Sequence, residues 1–134
     1  MVTRRVQTQI ERTDADRRAF ELIMAAGLEA EIWGFSRAVQ ADVEALVELG
    51  VRASVIESPI SDLKLEAIGV PREAMLDRIR KAVSFAAEQG MTVAFFGVDS
   101  TRAEPDFFEQ AYAAAVEAGA KEVVPLHEPV SSVA

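Results

Sequence analysis

Apolar and polar positions along the chain change period repeatedly, from alternation or short apolar runs to spacings of three and four and back again. Alternation is the mark of a strand and three-to-four spacing that of an amphipathic helix. Residues 2–10 alternate weakly and predict a first strand. Thr13 with Asp16 three residues on is a helix-start signal, and residues 14–26 place Ala19, Phe20, Ile23 and Met24 at helical spacing. Residues 31–35 predict the second strand, 38–49 a helix with Val39, Val43, Leu46 and Val47 on one side, and 52–57 a third strand. Pro59 cannot donate to a ladder, so residues 58–62 read as a loop. Residues 63–70 fit either a short helix or irregular chain. A long helix over 71–89 follows, with Pro71 in its first turn. Residues 91–98 predict the fourth strong strand, 106–118 a helix and 121–126 the last strand.

Glycines punctuate this alternation. Gly27, Gly50, Gly90 and Gly119 each stand between a helical pattern and a strand, where a residue able to take positive φ closes a helix. Strands alternating with helices of ten or more residues imply right-handed crossovers and a parallel sheet, hence an α/β fold. Four or five such units fit a partial (β/α)8 TIM barrel, whose complete form needs roughly 250 residues. They also fit an open, doubly wound, flavodoxin-like sheet, and periodicity leaves both open.

Composition narrows the partners. Half of the 134 residues are hydrophobic, which suits a single domain with a real core. Twenty-two acidic against fourteen basic side chains give a net charge of −8, which repels a phosphate backbone and argues against nucleic acid. No apolar run approaches the roughly 20 residues that span a bilayer, and the N-terminus lacks a signal-peptide core, so no membrane partner and a cytoplasmic location are expected. The absence of cysteine excludes disulfides, thiolate catalysis and Cys-ligated zinc. The last ten residues, with two prolines and small polar side chains, predict a mobile tail from about residue 125.

The polar residues of interest fall at the carboxyl ends of the strands, where α/β folds bind ligands. Asp99, Ser100 and Arg102 follow the fourth strong strand, Ser61 follows the third, Arg37 the second, and Glu57 closes the third strand itself. Each has a plain structural alternative. Asp99 and Arg102, three apart, can pair with each other or cap a helix, and Arg37 can pair with Glu57. His127 and Glu128 are too few for a closed metal site. The candidate set is Asp99 and Arg102 as catalytic groups, with Arg37, Glu57, Ser61 and Ser100 as substrate-binding groups and no metal ligand. A glycine-rich phosphate loop is absent, which removes support for a nucleotide or flavin.

The segments SRAVQADVEALVELGV and SDLKLEAIGVPREAMLDRIRKAVSFAAEQGMTVAFFGVDSTRAEPDFFEQAYAAAVEAGAKEVV resemble the metal-dependent TIM-barrel family of isopropylmalate synthase, homocitrate synthase and hydroxymethylglutaryl-CoA lyase. The resemblance covers residues 14–124 and only the middle of the family's barrel, equating the strands from residue 31 onward with barrel strands three to six. It implies an acyl-CoA/2-oxo-acid condensing chemistry with acetyl-CoA and a 2-oxo acid as substrates, around a divalent ion acting as Lewis acid. It also matches Arg37 to an arginine that the family carries there, able to hold a carboxylate bidentately.

Departures from the family pattern are as informative. The Arg-Asp motif and the His-x-His pair that supply its metal ligands are absent from this chain, Leu63-Lys64 stands where many members place a histidine, and Phe96-Gly97-Val98 replaces the residues that precede the acid. The resemblance implies a barrel fragment that binds no cofactor of its own and is inactive alone. The alternative is a structural, self-assembling module, since open sheet edges and an apolar inner face favour a homo-oligomer.

Overall fold

The computed structural model describes residues 5–8 and 13–125. Five strands form one parallel sheet: β1 (Arg5–Thr8), β2 (Glu31–Arg37), β3 (Ala53–Pro59), β4 (Thr92–Val98) and β5 (Glu122–Pro125). Their spatial order is their sequence order, so every crossover steps the same way. A flavodoxin-like sheet must reverse direction once, and this one does not, which removes that alternative.

The helices are α1 (Asp14–Ala25), α2 (Gln40–Glu48), α3 (Asp62–Ile68), α4 (Arg72–Glu88) and α5 (Pro105–Ala118). Thr13 and Asp16 close a reciprocal capping box at the start of α1. Residues 63–70, ambiguous in sequence, are mostly α3, because the Ser61 hydroxyl caps its start and Gly69, at φ 69°, ends it. Pro71 stands one residue earlier than expected, as the N-cap of α4. Pro105 takes the first turn of α5, where its missing N–H has no partner to lose.

Two strands run further than the sequence suggests. β2 continues through Ser36 and Arg37, which pair in register with Ile56 and Glu57. β3 continues through Pro59 opposite Val98, and the next N–H, that of Ile60, donates to the Val98 carbonyl, so the proline costs only the final rung. Pro125, with which the predicted tail begins, is the last residue of β5; the rest of that tail and the His127-Glu128 pair lie outside the described residues.

Side-chain parity divides the sheet into two faces. Gly34, Ser36, Ser54, Ile56, Val93, Phe95 and Gly97 point into the helix layer and are buried. Close approach there depends on glycine: a Cβ at Gly34 would lie 2.6 Å from Leu46 Cδ1, and one at Gly97 would lie 2.7 Å from Ile60 Cδ1. α4 is the central helix, burying Met75, Leu76, Ile79, Ala82, Val83 and Ala86 and packing on α2 and α5. The expected stripe of α1 is mostly unburied. Phe20 alone of its side chains is buried, while Leu22 and Met24 are exposed.

The other face carries Trp33 and Ala94, which are buried, and Phe35, Arg37, Val55, Glu57, Phe96 and Val98, none of them fully buried. Phe35 and Phe96 meet edge to face across it, ring centroids 6.3 Å apart. Arg37 and Glu57 stand at the carboxyl end of this open face.

Candidate functional site

Two polar assemblies occupy the carboxyl ends of the strands. The first is built on Arg37, the last residue of β2. Its guanidinium donates from Nε to Asp42 Oδ2 at 2.8 Å and from Nη2 to Asp42 Oδ1 at 3.0 Å, while its backbone N–H donates to Oδ2 at 3.2 Å. Asp42 lies in the first turn of α2 and is buried. The expected structural partner of Arg37 was Glu57; the fork instead takes Asp42. The reason is local: α2 begins three residues after the strand, so its first-turn carboxylate stands over the strand end and meets both the backbone and the fork. Glu57, next to Arg37 in register, acts as a nearby charge. The hydrogen bond and charge of Asp42 outweigh the desolvation of Arg37, Glu57 adds to them, and the guanidinium is held in its charged form. The Arg37 side chain is 53% exposed, so an oriented cation faces solvent at the strand ends.

The second assembly joins the loops after β3 and β4. Asp99 is 1% exposed and takes the left-handed conformation at φ 63°, the only non-glycine residue to do so among those described. Its Oδ2 accepts from the Ser61 hydroxyl at 2.5 Å and its Oδ1 from Arg102 Nε at 2.7 Å. Ser61 Oγ in turn accepts the Lys64 N–H at 3.2 Å, so one hydroxyl caps α3 and ties it to the neighbouring loop. Burial alone would raise the carboxyl of Asp99. The hydrogen bonds from Arg102 and Ser61, with the charges of Arg102 and Lys64, prevail and hold it below the ordinary carboxylate range.

Ser100 follows in a single 3-10 turn and is buried, hydrogen-bonded with Tyr112. The Tyr112 hydroxyl accepts the Gly97 N–H at 3.1 Å and donates to the Val124 carbonyl at 2.8 Å, linking β4 to β5 from α5. Desolvation pushes this phenol upward, so it stays a neutral donor.

Of the sequence-predicted residues, Asp99, Arg102 and Ser61 therefore meet in one assembly with Ser100 beside it, and Arg37 and Glu57 meet in register at another position. Asp42 and Tyr112 escaped sequence reasoning. Asp42 had a signal, an acid in the first turn of the helix after an arginine-terminated strand. Tyr112 sits in the apolar stripe of α5 and had none. Among the described residues no cluster of three His, Cys, Asp or Glu side chains could hold a metal ion, so the divalent ion implied by resemblance has no fitting donor set there. No helix among them is long and apolar enough to cross a membrane.

Comparison with known proteins agrees with this architecture. A family model described as HMGL-like matches residues 9–125. The chain is 37% identical over 106 residues to a putative (R)-citramalate synthase of Methanosphaerula palustris, covering 78% of this chain and 21% of that protein. It is 35% identical to a probable 2-isopropylmalate synthase of Methanopyrus kandleri, with the same coverage, and 34% identical to the homocitrate synthase of that organism, covering 83% of this chain and 28% of the relative. The chain thus spans between about a fifth and somewhat more than a quarter of the length of these relatives. The crystal structure of HMG-CoA lyase from Bacillus subtilis superimposes with a TM-score of 0.64 at 14% identity, over 81% of this chain and 39% of that one. The five parallel strands are a section of a TIM barrel.

Proposed function

The chain belongs to the HMGL-like family, homologous to acyl-CoA/2-oxo-acid condensing synthases, and from that premise we propose that it forms a substrate-side wall of such a barrel and does not turn over alone. Arg37 would hold the carboxylate of a 2-oxo acid. The observation that carries this reading is the Arg37–Asp42 fork: one edge of the guanidinium is fixed by a buried carboxylate, while half of the side chain faces the strand ends where barrels bind ligands.

Holding a cation in one orientation before substrate arrives lowers the ordering cost of binding. Glu57, beside it, would oppose a second negative charge and favour a ligand with one carboxylate over a dicarboxylate. Asp99, Ser61, Arg102 and Ser100 would keep the β3–α3 and β4–α5 loops in place rather than exchange protons, since both Asp99 oxygens are already engaged. Turnover by the chain alone is not expected because it covers so little of the synthases' length.

The test combines turnover with binding. With acetyl-CoA, a panel of 2-oxo acids and Mg²⁺ or Mn²⁺, CoA thiol release should stay at the uncatalysed background, while calorimetry should detect pyruvate binding that Arg37→Gln abolishes. Thiol release above background, or pyruvate binding indifferent to Arg37→Gln, would overturn the reading.

A further inference from the structure

On the open face of the sheet, one row of side chains crosses three strands at their carboxyl ends. Arg37 pairs in register with Glu57, and Glu57 with Phe96, so a cation, an anion and an aromatic ring stand in that order on neighbouring strands. Neighbouring strands lie about 4.8 Å apart, which spaces the three side chains where they leave the sheet. Phe35, two residues before Arg37 on the same face, meets Phe96 edge to face with ring centroids 6.3 Å apart. The apolar end of the row is therefore a pair of rings. Arg37 is exposed, and Glu57, Phe96 and Phe35 are each partly exposed, so all four present surface to a ligand.

Each member of the row has a chemical complement. Asp42 takes the Nε side of the Arg37 guanidinium and leaves the Nη1 side to meet a ligand carboxylate. Glu57 is near enough for its charge to favour the charged form of Arg37, and it attracts a positive group placed next to the bound carboxylate. The two rings accept an apolar chain. A 2-oxo acid satisfies only the first and last of these, because the keto oxygen beside its carboxylate carries partial negative charge and gains nothing from Glu57. An α-amino acid satisfies all three, since its carboxylate, its ammonium and its side chain leave the same carbon.

We propose that the row Arg37, Glu57 and Phe96 binds an apolar α-amino acid as its zwitterion, in competition with a 2-oxo acid; the inference rests on the reading of Arg37 as a carboxylate clamp. Glu57 then decides between the two ligand classes. Its charge holds the ammonium of one and opposes the keto oxygen of the other.

Calorimetry on the full chain with L-leucine, 2-oxoisocaproate, leucinamide, glycine and pyruvate tests this, with far-UV circular dichroism checking that each variant keeps the native fold. Leucine should bind about tenfold tighter than 2-oxoisocaproate, which differs from it at the group facing Glu57, and about tenfold tighter than glycine, which has no chain for the rings. Leucinamide, without the carboxylate, should not bind. Glu57→Gln should weaken leucine about tenfold and leave 2-oxoisocaproate as tight or tighter, while Arg37→Gln removes both. Leucine binding no tighter than 2-oxoisocaproate, or weakened by Glu57→Gln no more than 2-oxoisocaproate is, would overturn the amino-acid assignment; pyruvate binding that depends on Arg37 would leave the clamp standing. Leucine bound in this way with pyruvate silent would uphold the assignment and refute the 2-oxo-acid reading. Should Glu57→Gln fail to fold, leucine against 2-oxoisocaproate on the wild-type chain decides alone, and no binding by any ligand refutes both.

Discussion

At the scale of single residues, Asp99 shows how a polar cluster at strand ends can hold loops together. Its left-handed backbone turns the chain out of β4, and its two oxygens meet a hydroxyl from the loop after β3 and a guanidinium three residues on. The carboxyl is held low in the folded chain, so the stabilisation it brings is fully present above its unfolded value of about 3.9 and is lost as pH falls through the lower folded value. Urea titrations from pH 7 down to about pH 2 should therefore show Asp99→Asn less stable than wild type at neutral pH and the gap closing below about pH 4. A gap that persists unchanged into acid would mean that the carboxylate charge contributes nothing. Arg102 is largely exposed, so solvent screens its share and the hydrogen bond from buried Ser61 should matter more. Much of this assembly was visible in sequence, because an acid and an arginine three apart after a strand can reach each other. The partnership of Asp42 with Arg37 was legible only as a spacing, since which acid wins depends on where α2 starts.

At the scale of elements, the helix layer lies close to the sheet because glycine interrupts β2 and β4 on that face. A methyl group at Gly34 would press on both Leu46 methyls, at 2.6 and 2.8 Å, and Leu46 is wholly buried. Gly34→Ala should cost about 1–3 kcal/mol in chemical denaturation, and most of that penalty should vanish in a Leu46→Ala background, where the space has been opened. An equal cost in both backgrounds would place the strain elsewhere. The order and type of the elements were legible from period and glycine punctuation, while their ends were less so. β2 and β3 extend beyond their sequence signals because a neighbouring strand supplies partners that no local pattern announces. The stripe on α1 misled for the converse reason: its spacing is helical, but among the described residues little beyond Phe20 is covered.

At the scale of the molecule, a parallel sheet that never reverses order, with helices on one face and an open second face ending in an oriented arginine, is a wall waiting for the rest of an enclosure. Family membership and the match to a TIM-barrel lyase give that wall its place, and the chemistry proposed for it rests on Arg37. The most direct test is a ¹H–¹⁵N spectrum that resolves the arginine Nε–H signals, recorded while pyruvate is added. The expected result is a saturable shift of the Arg37 Nε–H and of the Glu57 and Asp42 amides, with Arg102 unmoved and the whole response absent in Arg37→Gln. Shifts confined to Arg102, Asp99 and Ser61, or no saturable shift at all, would contradict it.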